Sequence, residues 1–204
     1  MSKTFSMVEY FKHVAENWQP ELGFTKEKTT DFADWHSQAL NKLKALLGAF
    51  PPQVPLNPQV IYSIEEGDVI RQRVILDVDD YMAMPCLIVM PQGLSPNHKA
   101  PAILCSHGHG PYGKEPVAGV RTTADRRNNI EEHNYDYGLQ MARRGYVCIC
   151  PDLRNFGERS DGGEPYPGRD ICNVNFIRGM ILGFYTLTLN ISDMMRAIDY
   201  LQTM

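Results

Sequence analysis

The 204 residues include 20 lysines and arginines against 24 aspartates and glutamates, a formal net charge of −4, and 43% of them are hydrophobic. This composition is typical of a globular domain and argues against a nucleic-acid partner, because neutralising phosphates requires a basic face. The N-terminus lacks the apolar segment of a secretory signal, and no apolar stretch approaches membrane-spanning length. We therefore expect a cytoplasmic protein with no membrane partner.

The first 58 residues are predicted to form a helical segment and a linker, within which residues 1 to about 50 look helical. Thr30 and Asp31 can cap a helix that ends near Leu47, because apolar residues recur there every three to four positions. Gly48 supplies a stop signal, and the proline-rich residues 51–58 follow it as a linker. Residues 59–204 are predicted to form a partial α/β domain.

From residue 69 the apolar pattern becomes that of strands, predicted at residues 69–78, 84–91, 102–106 and 146–150, with a tight connection between the first two. Helices are predicted over about 134–144 and from about residue 190. The last helix is expected to pack in the core through one face, formed by Ile191, Met194, Met195, Ile198 and Leu201. Residues 111–132 and 151–177 are predicted to be long polar loops. The alternation of strands and helices predicts an α/β fold whose sheet is mostly parallel and flanked by helices.

The most informative motif is Cys105-Ser-His-Gly-His-Gly110, which covers the end of the third predicted strand and the turn after it. In acyl transfer, backbone N–H groups at such a turn can stabilise the negative charge that develops on the carbonyl oxygen. Glycines allow the chain to aim an N–H into a cleft without a steric conflict. His109 or Gly110 can offer that N–H, while His107 can hydrogen-bond the loop and hold its shape. The competing interpretation is a plain tight turn.

Two other chemistries are open to this motif. His107 and His109 could begin a metal site, with His133 and Asp152 as further ligands, but glycines flank both histidines and the usual ligand spacing does not follow. Cys105 could act as a nucleophile with His107 as its base. We disfavour that role because Cys105 lies within an apolar strand, where cysteines are usually inert and buried.

The chain has five cysteines, Cys86, Cys105, Cys148, Cys150 and Cys172, and the first four lie in strand-like apolar runs. We expect these cysteines to be buried as small hydrophobic residues, because they lie in apolar runs. We expect them to be free thiols, because an odd number of cysteines without a signal sequence fits a reducing compartment. Asp152 follows the last predicted strand, and we expect it to accept backbone N–H bonds and fix the loop rather than to act in catalysis. Arg154 and Glu158 are expected to pair nearby.

Four stretches resemble the α/β-hydrolase superfamily, and within it the bacterial acetyl-xylan-esterase and dienelactone-hydrolase-like esterases; they are residues 84–91, 105–110, 142–160 and 193–201. The resemblance covers roughly residues 60–204. It implies the N-terminal half of an α/β-hydrolase fold and a serine hydrolase that acts on a small-molecule carboxylic ester without a cofactor or a metal. It places the oxyanion N–H donor at His109, with Gly110 as second choice and His107 and Gly108 as supporting residues.

The resemblance also implies a nucleophilic serine in a Gly-x-Ser-x-Gly turn on the next strand, which is absent from this sequence. No residue here inherits a triad role. We therefore expect the chain to be the N-terminal part of a longer enzyme and to be inactive alone. Strand 102–106 would then be an open edge that invites self-association. Alternatives are a metal-dependent hydrolase using His107 and His109, a peptidase of the same superfamily, and a non-catalytic binding or assembly module that meets a partner through residues 111–132.

Overall fold

The computed structural model describes residues 3–25, 31–95, 97, 99–161 and 166–204. The chain divides into two compact units, Met1–Leu47 and Gly48–Met204. The first contains helices α1 (Met7–Asn17) and α2 (Phe32–Leu47), in agreement with the predicted helical segment. Asp31 caps α2, since its carboxylate accepts the N–H groups of Ala33 and Asp34 at 2.8 and 3.2 Å. Thr30 lies outside the described residues.

The second unit is built on a five-stranded sheet with the order β1-β2-β3-β5-β4. The strands are β1 (Gln59–Glu66), β2 (Val69–Asp77), β3 (Ala83–Pro91), β4 (Ala102–Leu104) and β5 (Val147–Pro151). Among the described strands, β4 and β5 pair in parallel, and the other three pairings are antiparallel. The prediction of a mostly parallel sheet is wrong, because the short connections β1–β2 and β2–β3 can join only antiparallel neighbours. Strand β1, which was not predicted, has only exposed residues and so lacks a clear burial pattern.

The segment between β4 and β5 is helical, although residues 111–132 were predicted to be a loop. It holds α3 (Lys114–Val117), α4 (Ala124–His133) and α5 (Tyr137–Ala142), the last shorter than the predicted helix over 134–144. Thr123 caps α4, and Asn134 ends it in the left-handed conformation at φ +49°. The prediction failed because α4 is polar on nearly every side, with only Ile130 buried, and therefore shows no apolar periodicity.

After β5 come a short 3₁₀ turn (Gly157–Arg159), α6 (Ile171–Ile181) and α7 (Thr186–Leu201). Residues 151–177 are thus not one continuous loop, because Asp170 caps a helix that begins at residue 171. Among the described residues, no single helix is long and apolar enough to cross a membrane, while α6 and α7 satisfy that test only as a pair bent by 100°.

Helices cover both faces of the sheet, as predicted. On one face, α7 contributes Ala197 and Tyr200 to a core with residues of β2, β3 and β5. On the other face, α3 and α5 pack against β3 and β5. Three buried cysteines, Cys105, Cys148 and Cys150, lie on this face, whereas Cys86 lies on the face that α7 covers. The predicted core face of α7 is wrong at Met195 and Ile198, which are exposed. The buried face instead carries Asp193 and Arg196, because both have hydrogen-bond partners inside the fold.

Candidate active site

The candidate site lies where β4 and β5 end. Because these strands are parallel neighbours, their carboxyl ends reach the same edge of the sheet. The turn at residues 106–110 follows β4, and residues 152–160 follow β5. The N–H of Cys105 extends the pairing by one residue, since it donates to the Ile149 carbonyl at 2.8 Å. The two segments that carry the sequence motifs are thereby placed side by side.

His107 links these two segments. Its Nε2 accepts the N–H of Leu153 at 3.0 Å, so the ring proton must be on Nδ1, which donates to the Gly108 carbonyl at 2.7 Å. The ring is only 4% exposed. Burial lowers the pKa of His107, and the hydrogen bond to the Gly108 carbonyl opposes part of that effect. The neutral imidazole therefore fixes the shape of the turn.

Two tyrosines, one just before α5 and one at its first position, hold the same turn from the other side. The hydroxyl of Tyr135 accepts the Gly108 N–H at 2.6 Å, and the hydroxyl of Tyr137 donates to the Ser106 carbonyl. Burial raises the pKa of Tyr137, so its hydroxyl remains a donor. Neither tyrosine was predicted from the sequence. Their only sequence signal was two tyrosines near the start of a short helix.

The next two residues of the turn keep their backbone N–H groups available. Within the described part of the chain, no hydrogen-bond acceptor contacts the N–H of His109 or of Gly110. The His109 ring is largely exposed, stands edge-on to Phe156 with ring centres 5.0 Å apart, and lies 3.6 Å from the Asp170 carboxylate. A side chain at Gly110 would meet open space, because no atom lies within 4 Å of an added Cβ.

A cavity of about 390 Å³ lies beside this turn. It is lined by both segments and by the start of α6, through residues that include His109, Gly110, Asn155, Phe156, Asp170 and Ile171. An aromatic ring and a few polar side chains around one concave space are typical of small-molecule sites. The position of this cavity beside the turn could not be read from the sequence, because α6 was not predicted to begin at residue 171.

Asp152 is structural, as predicted. It is fully buried, and its carboxylate accepts the backbone N–H groups of Lys114 and Glu158 at 2.8 and 3.0 Å. The Lys114 ammonium lies 2.5 Å from Asp152 and 2.6 Å from Glu158. Burial acts to raise the pKa of Glu158, but hydrogen bonds from Arg73 and Lys114 outweigh it and lower that pKa. Gly113 and Gly157 pack so closely on Asp152 that neither position has room for a Cβ.

The predicted pairing of Arg154 with Glu158 is wrong. Arg154 binds both carboxylate oxygens of Asp193 on α7 at 2.9 Å and also reaches Asp79 at 2.9 Å. Arg159 contacts Asp193 as well, at 2.7 Å. Asp193 is fully buried between the two guanidinium groups. This network ties the segment after β5 to α7. It could not be predicted from the sequence, because the partners are about 35 residues or more apart along the chain.

The structure disfavours the two other chemistries considered for the motif. His107 has no free lone pair for a metal, since Nε2 accepts from Leu153 and Nδ1 donates to Gly108. His133, a further candidate ligand, bonds the Asn129 carbonyl of its own helix at 3.0 Å. Across the described residues, no group of three or more metal-binding side chains converges. Cys105 is 2% exposed, and the same two bonds leave His107 unable to act as its base.

No protein-family model matches the chain, and no curated protein matches it. Solved structures that are similar to it include two esterases. A candidate acetyl xylan esterase from Bacteroides fragilis NCTC 9343 aligns with a TM-score of 0.79 at 18% identity, over 99% of this chain and 51% of that chain. An acetyl xylan esterase from Paenibacillus sp. R4 aligns with a TM-score of 0.50 at 19% identity, over 93% of this chain and 51% of that chain.

The chain therefore spans about half the length of the solved structures it matches. At these identities the similarity concerns the fold. The chain has a mixed α/β fold, with a five-stranded sheet flanked by helices, similar to that of the Bacteroides fragilis structure.

Proposed function

We propose that this chain is the N-terminal part of a serine hydrolase of carboxylic esters, and that its turn at residues 107–110 stabilises the oxyanion. One observation carries the proposal. The turn is held on both sides, by His107 and by Tyr135, while the N–H groups of His109 and Gly110 remain without acceptors in the described structure, and both residues line a cavity. Donors that are fixed before the reaction stabilise a developing charge at little reorganisation cost. The Bacteroides fragilis and Paenibacillus structures both carry the name acetyl xylan esterase, which favours an ester as the substrate.

In the proposed reaction, a serine attacks the acyl carbon and a histidine transfers its proton to the leaving alcohol. The N–H of His109, with Gly110 as second choice, donates to the carbonyl oxygen as it becomes negative. We place the serine, the acid and the histidine base beyond residue 204. Ser106 does not fit the role of nucleophile, because its hydroxyl contacts the His107 carbonyl at 3.4 Å and not an imidazole nitrogen.

The first test compares residues 1–204 with the longest native product of the gene, using p-nitrophenyl acetate as substrate. We expect no saturable hydrolysis by residues 1–204. We expect the native product to be longer, active and blocked by a serine-directed phosphonate. Saturable, phosphonate-sensitive hydrolysis by residues 1–204 alone would contradict the proposed position of the nucleophile, and an inactive native product would contradict the proposed function.

The second test locates the N–H donor in the active native product. His109→Pro removes the backbone N–H, whereas His109→Ala removes only the ring. Loss of an oxyanion donor typically lowers kcat by about 100-fold or more, so we expect kcat of His109→Pro to lie that far below kcat of His109→Ala. Gly110→Pro and Gly110→Ala form the same comparison at the second position, where a Cβ meets no neighbour. Equal kcat values within both pairs would exclude the turn as the source of the donor.

A further inference from the structure

Three of the five cysteines lie together next to the turn of the candidate site. Cys105, Cys148 and Cys150 are buried on the face of the sheet that α3 and α5 cover, with exposed fractions of 2%, 0% and 0%. All five cysteines are free thiols, and Cys86 lies on the opposite face. We call the set of three the thiol cluster. Thiolates are nucleophiles, and the proposed ester hydrolysis gives these three residues no role.

The register of the parallel pair β4–β5 places two of these thiols opposite each other. Leu104 is paired with Ile149, and the N–H of Cys105 donates to the Ile149 carbonyl at 2.8 Å. The pairing therefore continues past the end of β4 and sets Cys105 against Cys150. Both side chains belong to the same face, where α5 packs so closely that a Cβ at Gly138 would lie 2.9 Å from the Cys150 sulfur. The two thiols are thus held side by side.

Strand geometry selects which members of the thiol cluster can be joined. Adjacent strands lie about 4.8 Å apart, and a disulfide requires a Cα separation of about 4.4–6.8 Å. Cys105 and Cys150 meet this requirement. Cys148 stands two residues earlier on β5, so its Cα lies about 8 Å from that of Cys105, outside the range. Cys148 and Cys150 project side by side from one strand and do not converge. Within the cluster, the backbone therefore permits a bridge between Cys105 and Cys150.

The hydrogen bonds within the thiol cluster distinguish its members. The thiols of Cys148 and Cys150 donate to the Cys105 sulfur, and these bonds lower the pKa of Cys105, whereas burial opposes them. The same bonds, together with burial, raise the pKa of Cys148 and of Cys150. The thiolate is the form of cysteine that attacks a peroxide. Cys105 is therefore the member that reacts with an oxidant, and Cys150 is the neighbour placed to complete a disulfide.

We propose that Cys105 and Cys150 are a redox-sensitive pair, which hydrogen peroxide converts to a disulfide between the ends of β4 and β5. The Cys105 sulfur attacks one oxygen of the peroxide, the O–O bond breaks, and the other oxygen leaves as water with the thiol proton. The Cys150 sulfur then attacks the sulfenic acid, the S–O bond breaks, and a second water leaves with the Cys150 proton. Two thiols are oxidised to one disulfide, and one peroxide is reduced to two waters.

The disulfide would act directly on the candidate site. Cys105 precedes Ser106, whose carbonyl accepts the Tyr137 hydroxyl that holds the turn. A bond to Cys150 would tie the turn after β4 to the segment after β5, and both segments line the cavity. The bridge also closes the loop from residue 105 to residue 150, which restricts the unfolded chain and stabilises the fold. The pair does not require ester hydrolysis.

The test is mild oxidation of folded residues 1–204 with hydrogen peroxide, followed by mass spectrometry of the intact chain and of its non-reduced peptides. We expect a loss of about 2 Da, since two hydrogens are removed, and a link between the peptides of Cys105 and Cys150. Fragment spectra separate Cys150 from Cys148, which share a tryptic peptide. Dithiothreitol should restore the original mass, and the oxidised chain should unfold at a higher urea concentration than the reduced chain.

Matched substitutions test which thiols form the bridge. Cys150→Ser should abolish the mass loss and leave Cys105 to be oxidised further to the sulfinic acid, whereas Cys148→Ser and Cys86→Ser should form the bridge like the wild type. Circular dichroism checks that each variant folds, and the wild-type peptides locate the bridge without any substitution. Absence of a disulfide in the oxidised, folded chain would overturn the proposal, as would a bridge to Cys148 or Cys172, or a bridge that forms only in urea.

Discussion

Substitution of Lys114 by methionine tests how the fold holds the segment after β5. The Lys114 ammonium is 3% exposed and lies 2.5 Å from a carboxylate oxygen of Asp152, which is itself fully buried. Methionine fills a similar volume but carries no charge, so Asp152 would be left as a buried anion without a cation. Breaking a buried ion pair by removing one partner costs about 3–5 kcal/mol.

For Lys114→Met, the structure indicates a cost at the lower end of that range. Asp152 keeps two backbone donors, the N–H groups of Lys114 and Glu158, after the ammonium is removed. Glu158 keeps its ion pair with Arg73 at 2.5 Å and is 44% exposed. We therefore expect Lys114→Met to lower the free energy of unfolding by about 3 kcal/mol. With a urea m-value of about 2 kcal/mol/M, the unfolding midpoint should fall by about 1.5 M.

The assay is urea unfolding followed by circular dichroism, with Arg143→Met as the matched control. Arg143 pairs with Asp68 at 3.2 Å, but the two side chains are 52% and 60% exposed, and such a pair contributes at most about 1 kcal/mol. Lys114→Met combined with Asp152→Asn removes the unpaired anion and should recover about 1 kcal/mol or more of the loss. If Lys114→Met and Arg143→Met shift the midpoint equally, the reasoning from burial is refuted.

Three further predictions concern the turn and its supports. Tyr135→Phe removes the acceptor of the Gly108 N–H and should cost about 1 kcal/mol in urea unfolding, whereas Tyr81→Phe in an exposed loop should cost nothing measurable. Asp193→Asn leaves two buried guanidinium groups without their shared carboxylate and should cost about 3 kcal/mol or more; an unchanged Tm would contradict this assignment. The pKa of His107 is lower in the folded chain than in the unfolded chain. Below about pH 6.5 the unfolded chain therefore binds more protons than the folded chain does. The contribution of His107 to stability is complete above that pH and decreases as the pH falls below it. His107→Asn should flatten this part of the pH profile of the urea midpoint, and parallel profiles would show that His107 does not titrate on unfolding.

The sequence predicted the parts of the fold that depend on local pattern. Apolar patterns located β2, β3, β4 and β5 to within a few residues. Strands β3, β4 and β5 are apolar over almost their whole length, and β2 carries apolar residues at both ends. The prediction failed at α4, whose stability depends on caps at Thr123 and Asn134 and not on an apolar stripe. The prediction of a mostly parallel sheet was also wrong. The tight connection between β2 and β3 was predicted, but such a connection joins antiparallel strands.

For the candidate site, the sequence identified the turn at residues 107–110 and the structural role of Asp152. Both follow from local chemistry. Glycines at the end of a strand favour a tight turn, and an aspartate after a strand tends to accept hydrogen bonds from nearby backbone N–H groups. It could not identify Tyr135, or the pairing of Arg154 with Asp193, because these contacts join residues far apart in the chain. Only the packed structure decides which distant polar groups meet.

By itself, then, the sequence determined the class of fold, the strand and turn that carry the candidate site, and the burial of the cysteines in strands. The tertiary structure decided the strand order, the protonation of His107, the N–H groups left available at His109 and Gly110, and the face that α7 turns to the core. The physical reason is the same in each case. Local patterns report which residues avoid water, whereas hydrogen-bond partners are chosen by the three-dimensional packing, because a buried polar group must find a partner wherever the chain brings one within reach.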